Sequence, residues 1–108
     1  MSDAPTHRQF FGDTERNFRL KPELVTELER ITGAGIGGLS RRFFAGDFRH
    51  AELLGVIRLG LIGGGEDPET AAALIDAYAA PRPLMELYPI AVGILEVLMF
   101  GKVSTDEE

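Results

Sequence analysis

Leu59-Gly60-Leu61-Ile62-Gly63-Gly64-Gly65-Glu66-Asp67-Pro68-Glu69-Thr70 is the stretch that decides the fold. It ends one helix and starts another within twelve residues. Three successive glycines stop an apolar helix, because an unconstrained backbone favours a break. Asp67 then offers a side-chain oxygen to unpaired N–H groups, Pro68 suits the first helical position, and Glu69 places acid against the positive dipole end. A chain punctuated in this way is mainly helical.

Working towards the C-terminus, Ala71, Leu74, Ile75 and Tyr78 recur at helical spacing and predict a helix through Ala79. Pro81-Arg82-Pro83 breaks it. A last helix is predicted from about Pro83 to Phe100, with Leu84, Leu87, Tyr88, Ala91, Leu95 and Leu98 on one face. Ile90, Ile94 and Val97 extend the apolarity nearly all round, and Pro89 should kink the helix.

Working towards the N-terminus, residues 49–62 read as a helix with Leu53, Val56, Ile57, Gly60 and Leu61 facing inward. A shorter helix covers about 36–45, with Leu39, Phe43 and Phe44 as contacts and Gly46 as its stop. Pro22 opens a helix over 22–32 that carries the stripe Leu24, Leu28, Ile31 and ends at Gly33. Residues 7–21 predict a β-hairpin turning at Gly12-Asp13-Thr14, with Phe18 and Leu20 on one face and Arg19 on the other. A lone hairpin is marginal in water, so it must lie on the helices or pair with another chain. The expected architecture is α+β and mainly α: an N-terminal hairpin followed by about five helices packed as a small bundle. One domain is expected over 1–108, with 7–21 as hairpin, 22–101 helical, and loose ends at 1–6 and 102–108.

The 108 residues are 44% apolar and 26% charged, which suits one globular core. There is no cysteine, so disulfides and thiolate metal sites are excluded. The net charge of −6 is uneven: residues 1–58 carry nine Lys/Arg against eight Asp/Glu, and residues 59–108 carry two against nine. That balance argues against duplex nucleic acid. Arg41, Arg42 and Arg49 form a local basic group best read as a solvated helix face. The apolar run from Leu87 to Phe100 is too short to span a bilayer and contains Glu96. With no signal-peptide h-region at the N-terminus, a cytoplasmic location is expected.

No chemistry emerges from the reactive residue types. Gly33-x-Gly35-x-x-Gly38 matches a dinucleotide fingerprint in letters only, because that site needs a strand before it and a helix after it. Gly63-Gly64-Gly65 lacks the Lys-Ser/Thr of a phosphate loop. His7 and His50 stand in no metal-ligand spacing and read as surface residues. Ser40 lacks a nucleophile-elbow context. Glu27/Glu29 and Asp67/Glu69 fall on wet faces or caps, and no carboxylate is placed in an apolar pocket that would raise its pKa. We therefore expect no enzyme, no cofactor and no metal.

The helix at 84–100, by its sequence alone, reads as the central core helix. The alternative keeps part of it for a partner, since exposed apolar patches mark binding sites and Met85 and Met99 suit adaptable surfaces.

The ordered strings carry a resemblance. They are Phe18-Arg19-Leu20, Pro22-Glu23-Leu24-Val25-Thr26-Glu27-Leu28-Glu29, Ile36-Gly37-Gly38-Leu39, Arg42-Phe43, Gly46-Asp47-Phe48, Ala51 to Gly65, and Arg82-Pro83-Leu84 before the helix that ends at Phe100-Gly101. Over roughly residues 12–101 this resembles the small tail assembly chaperone family of gene transfer agents and tailed phages. The resemblance implies a non-enzymatic protein that keeps the tape-measure protein soluble while the tail tube forms. Leu84, Leu87, Tyr88, Ala91, Leu95, Leu98 and Met99 are then the expected partner-binding residues. A small oligomeric scaffold or regulatory module, pairing between its own subunits, is the alternative.

Overall fold

The computed structural model describes residues 6–101. The fold is α+β and mainly helical: a hairpin of β1 (His7–Phe11) and β2 (Thr14–Phe18), then α1 (Pro22–Thr32), α2 (Ile36–Phe44), α3 (His50–Gly63), α4 (Pro68–Tyr78) and α5 (Leu84–Phe100). The ends expected to be loose fall outside the described residues, except Thr6. Its hydroxyl accepts a 2.8 Å hydrogen bond from Arg19 Nε.

The helix boundaries follow local chemistry. Asp67 caps α4, its Oδ1 accepting from the Thr70 N–H at 3.0 Å. That bonding, first through the Thr70 side chain, holds the Asp67 carboxyl below its ordinary range. Gly33 ends α1 in the left-handed conformation, with φ 73°. α5 continues through Pro89, which lies close enough to the N-terminus that the carbonyl it deprives of a partner is that of Met85, in the exposed first turn.

α3 is the centre of the molecule. α5, α4, α1 and β2 all pack on it. Its inward residues Leu53, Val56, Ile57 and Leu61 are fully buried, and so are Leu28, Leu39, Phe43 and Leu95 from three other helices. Each such side chain contributes about 1.5–3 kcal/mol of transfer free energy. Two expected core residues are instead partly open: Ile31 is 40% exposed and Phe44 38%. Each is covered on one side only, Ile31 by α3 near Gly55 and Phe44 by the Phe100 ring of α5.

The antiparallel hairpin pairs Phe11 with Thr14 and His7 with Phe18. It is held by burying Phe11, Phe18 and Leu20 against the helices. Its backbone approaches glycines so closely that a side chain there has no room. A Cβ at Gly63 would overlap the Arg19 carbonyl, and one at Gly64 the Asn17 carbonyl. On α5, a Cβ at Gly93 would lie 2.5 Å from the His7 ring. The three-glycine run therefore does more than stop α3; it lets the β2 backbone lie on the helix end. Arg19 N–H donates to the Gly60 carbonyl at 2.9 Å. Arg16 fastens the other side, bonding Asp13 at 2.8 Å and Glu66 at 2.7 Å. His7, expected at the surface, is half-buried: its ring tilts against Phe18 and its Nε2 meets Gln9 Oε1 at 2.7 Å.

One carboxylate is buried, though in a polar setting and not in an apolar pocket that would raise its pKa. Glu52 is only 4% exposed. It accepts from Arg42 at 2.9 and 3.3 Å and from the Arg49 N–H at 2.9 Å, joining α2 to α3. Burial pushes its pKa up, but the Arg42 bond and the Arg49 N–H outweigh this and hold it below 4.5. A depressed folded pKa stabilises the protein above the ordinary carboxylate range, and that stability is lost as pH falls through the folded value. Arg42→Ala is expected to destabilise the protein at pH 7, by leaving the buried Glu52 carboxylate with the Arg49 N–H bond alone. Its stability should then hold or rise between pH 7 and 4.5, where the wild type holds or falls. Urea unfolding at the two pH values checks the sign.

Candidate functional surface

The helix expected to meet a partner is divided by its packing. Leu87, Ala91 and Leu95 are 2%, 0% and 0% exposed. They are closed inside the core, and as surface residues they are corrected. The cause is that α5 packs on α3, α2 and β1 together, so the middle of the helix has little free side. Leu98 is half-buried against the core.

Tyr88 is held as well. Its hydroxyl donates to the Phe43 carbonyl, and its ring stacks on Phe48 at 5.2 Å, which stacks in turn on Phe43 at 5.5 Å. This ladder joins α5 to the end of α2. Phe48 gave no periodic signal in the sequence, because it sits in the connection after Gly46.

The exposed large apolar side chains of α5 are at its two ends. Leu84 and Met85 stand out at the first turn, and Met99 and Phe100 at the last. Phe100 is 71% exposed and stacks on Phe44 at 6.1 Å. Of the seven expected residues, then, Leu84 and Met99 are on the surface. Met85, Phe100 and Phe44 join them. An all-apolar helix has no moment to show which residues lie outside, so sequence could not sort these from the core.

The other sequence candidates have structural employment. A helix, not a strand, precedes Gly33-x-Gly35-x-x-Gly38. The α2 N-terminus is already occupied, since Glu29 Oε2 accepts from the Ile36 N–H at 2.8 Å. Arg42 is tied to Glu52, so the basic group reduces to Arg41 and Arg49 at the surface. His50 is exposed. Among the described residues no group of three or more His, Asp or Glu is placed to hold a metal, and no helix is long and apolar enough to cross a membrane.

No curated protein and no solved structure matches the chain. Residues 4–101 match the family described as phage tail tube protein, GTA-gp10. That span covers the hairpin, all five helices and both exposed ends of α5, and the tail-gene character implied by the ordered strings agrees with it. The chain belongs to the GTA-gp10 phage tail tube protein family.

Proposed function

We propose that this protein is a non-enzymatic tail assembly chaperone, working in the cytoplasm and holding the tape-measure protein soluble during tail assembly. The observation that supports this most is the exposure of Leu84, Met85, Met99 and Phe100 at the two ends of a helix whose middle is core. Single exposed apolar residues are ordinary, but a Phe–Phe stack beside a methionine forms a patch that water solvates poorly. Thioethers and aromatic rings adapt to apolar stripes on long helices. The acidic second half of the chain keeps such a surface soluble.

Light scattering with and without a tape-measure fragment tests the reading. A defined complex is expected, and Met85→Glu with Phe100→Glu should weaken it at least about tenfold while leaving the melting temperature within a few degrees. A stable homo-oligomer indifferent to the fragment sinks the proposal. The description of the family favours a second reading, a structural part of the tail tube. In that case purified protein forms rings or filaments visible by electron microscopy without any tape-measure fragment.

A further inference from the structure

The hairpin has two edges, and the helices use one of them. On β2 the Asn17 carbonyl is turned towards Gly64, and the Arg19 N–H donates to the Gly60 carbonyl at 2.9 Å, so that edge lies on the end of α3. Asn17 pairs with Arg8. In an antiparallel ladder the two members of a pair turn their backbone groups both towards each other or both away. With the Asn17 carbonyl turned away, the N–H and carbonyl of Arg8 are turned to the opposite edge. Those of Phe10, two residues on, follow. Among the described residues no backbone hydrogen bond outside the hairpin reaches these four groups.

Beyond this edge lies a hollow of about 150 Å³. Exposed Phe10 lines it from the outer face of β1, and Gln9 and Phe11 from the inner face, with Glu86 and Ile90 of α5 across from them. A hollow touched by both faces of a strand runs along its edge. An unpaired strand edge calls for another strand, the one element that satisfies its N–H and carbonyl groups in series.

The β1 sequence fits a second copy of itself. Antiparallel pairing over the whole strand, His7 to Phe11, sets Gln9 opposite Gln9 and Arg8 opposite Phe10 of the other copy. The four outward groups of each copy then all find partners. Each Arg8 guanidinium comes beside the Phe10 ring of the other copy, a favourable pairing of cation and aromatic face, and no like charges stand opposite each other. Arg8 is already held on that face by Glu15 at 3.0 Å and Asn17 at 2.9 Å. Phe10, 59% exposed, gains cover. Two ribbons that are each marginal alone become one four-stranded sheet. Such short strands make a contact at the small end of specific interfaces, so the association is weak and concentration-dependent.

We infer that the free edge of β1 pairs antiparallel with β1 of a second copy, in the register centred on Gln9. The inference goes beyond the chaperone reading, which concerns the ends of α5, and does not rest on it.

The chain has no cysteine, so an introduced one reports a single contact. In this register the two residues at position 9 are a non-hydrogen-bonded pair with Cα atoms about 4.5 Å apart, within disulfide reach. The two residues at position 10 stand diagonally and beyond it. Gln9→Cys is therefore expected to crosslink into a dimer under mild oxidation, and Phe10→Cys is not. Sedimentation of the wild type over a concentration series should show a monomer–dimer equilibrium. Phe10→Lys sets a cation against Arg8 of the other copy and should weaken that equilibrium at least about tenfold. Residue 10 is exposed and faces Glu15 within its own hairpin, so the melting temperature of the monomer should hold. If Phe10→Lys alters the melting curve, the two cysteine variants decide alone. A wild type that stays monomeric throughout, association indifferent to Phe10→Lys in a folded chain, or Phe10→Cys crosslinking as readily as Gln9→Cys overturns the inference.

Discussion

Gly64→Ala is expected to abolish folding, or to cost at least about 4 kcal/mol, although it adds a single methyl group. The added carbon would overlap the backbone carbonyl of Asn17 and lie 3.2 Å from the Phe18 nitrogen. Gly63→Ala meets the Arg19 carbonyl in the same way. Backbone cannot move aside as the end of a side chain can. Relief requires lifting β2 off α3, which unseats Phe18 and Leu20 and breaks the Arg19 N–H bond to Gly60. Two large apolar side chains are worth about 3–6 kcal/mol together, a large part of the 5–15 kcal/mol typical of a whole domain.

Gly38→Ala is the matched comparison. Gly38 lies inside α2 with nothing within 4 Å of the new carbon, and the change should stabilise by about 0.5–1 kcal/mol. Urea unfolding followed by circular dichroism reads both. A Gly64→Ala protein as stable as the wild type would show that the hairpin does not lie on the end of α3.

Leu95→Asp is expected to leave no cooperative unfolding transition at pH 7. Leu95 is fully buried in the core, and a carboxylate placed there loses its hydration. Met99→Asp, four residues on at 41% exposure, should stay within about 1 kcal/mol of the wild type. Calorimetry on the pair maps the boundary between core and surface on this helix. A folded Leu95→Asp protein that has lost only its partner would place residue 95 at an interface and contradict the packing described above.

Much of the architecture was legible before any coordinate. Asp67-Pro68, Pro22 and Gly33 act on their own helix ends, so their effect is local and visible in a short window. The same holds for Gly12 at the hairpin turn, where φ is 77°. Alternation placed Phe18 and Leu20 inward, and helical spacing placed Leu53, Val56, Ile57 and Leu61, because one side of each element faces the core. The buried pair of Arg42 and Glu52 was within reach too: the residues stand on consecutive helices, and Glu52 occupies the position that bonds back to the Arg49 N–H.

The candidate surface was less legible, and α5 shows why. Leu84, Leu87, Leu95 and Met99 are all large, apolar and on or near one stripe. Two of them are sealed and two are exposed, according to where α2, α3 and β1 reach along the helix. Hydrophobicity states what a side chain prefers; neighbours from distant parts of the chain determine what it obtains. Gly63 and Gly64 make the same point. By sequence they end a helix, which is a local property and correct. That they also leave room for the carbonyls of residues 17 and 19 depends on a contact more than forty residues away, and only the packed structure creates it. Local chemistry therefore determined the elements and their ends, and long-range packing decided which apolar side chains were left for a partner.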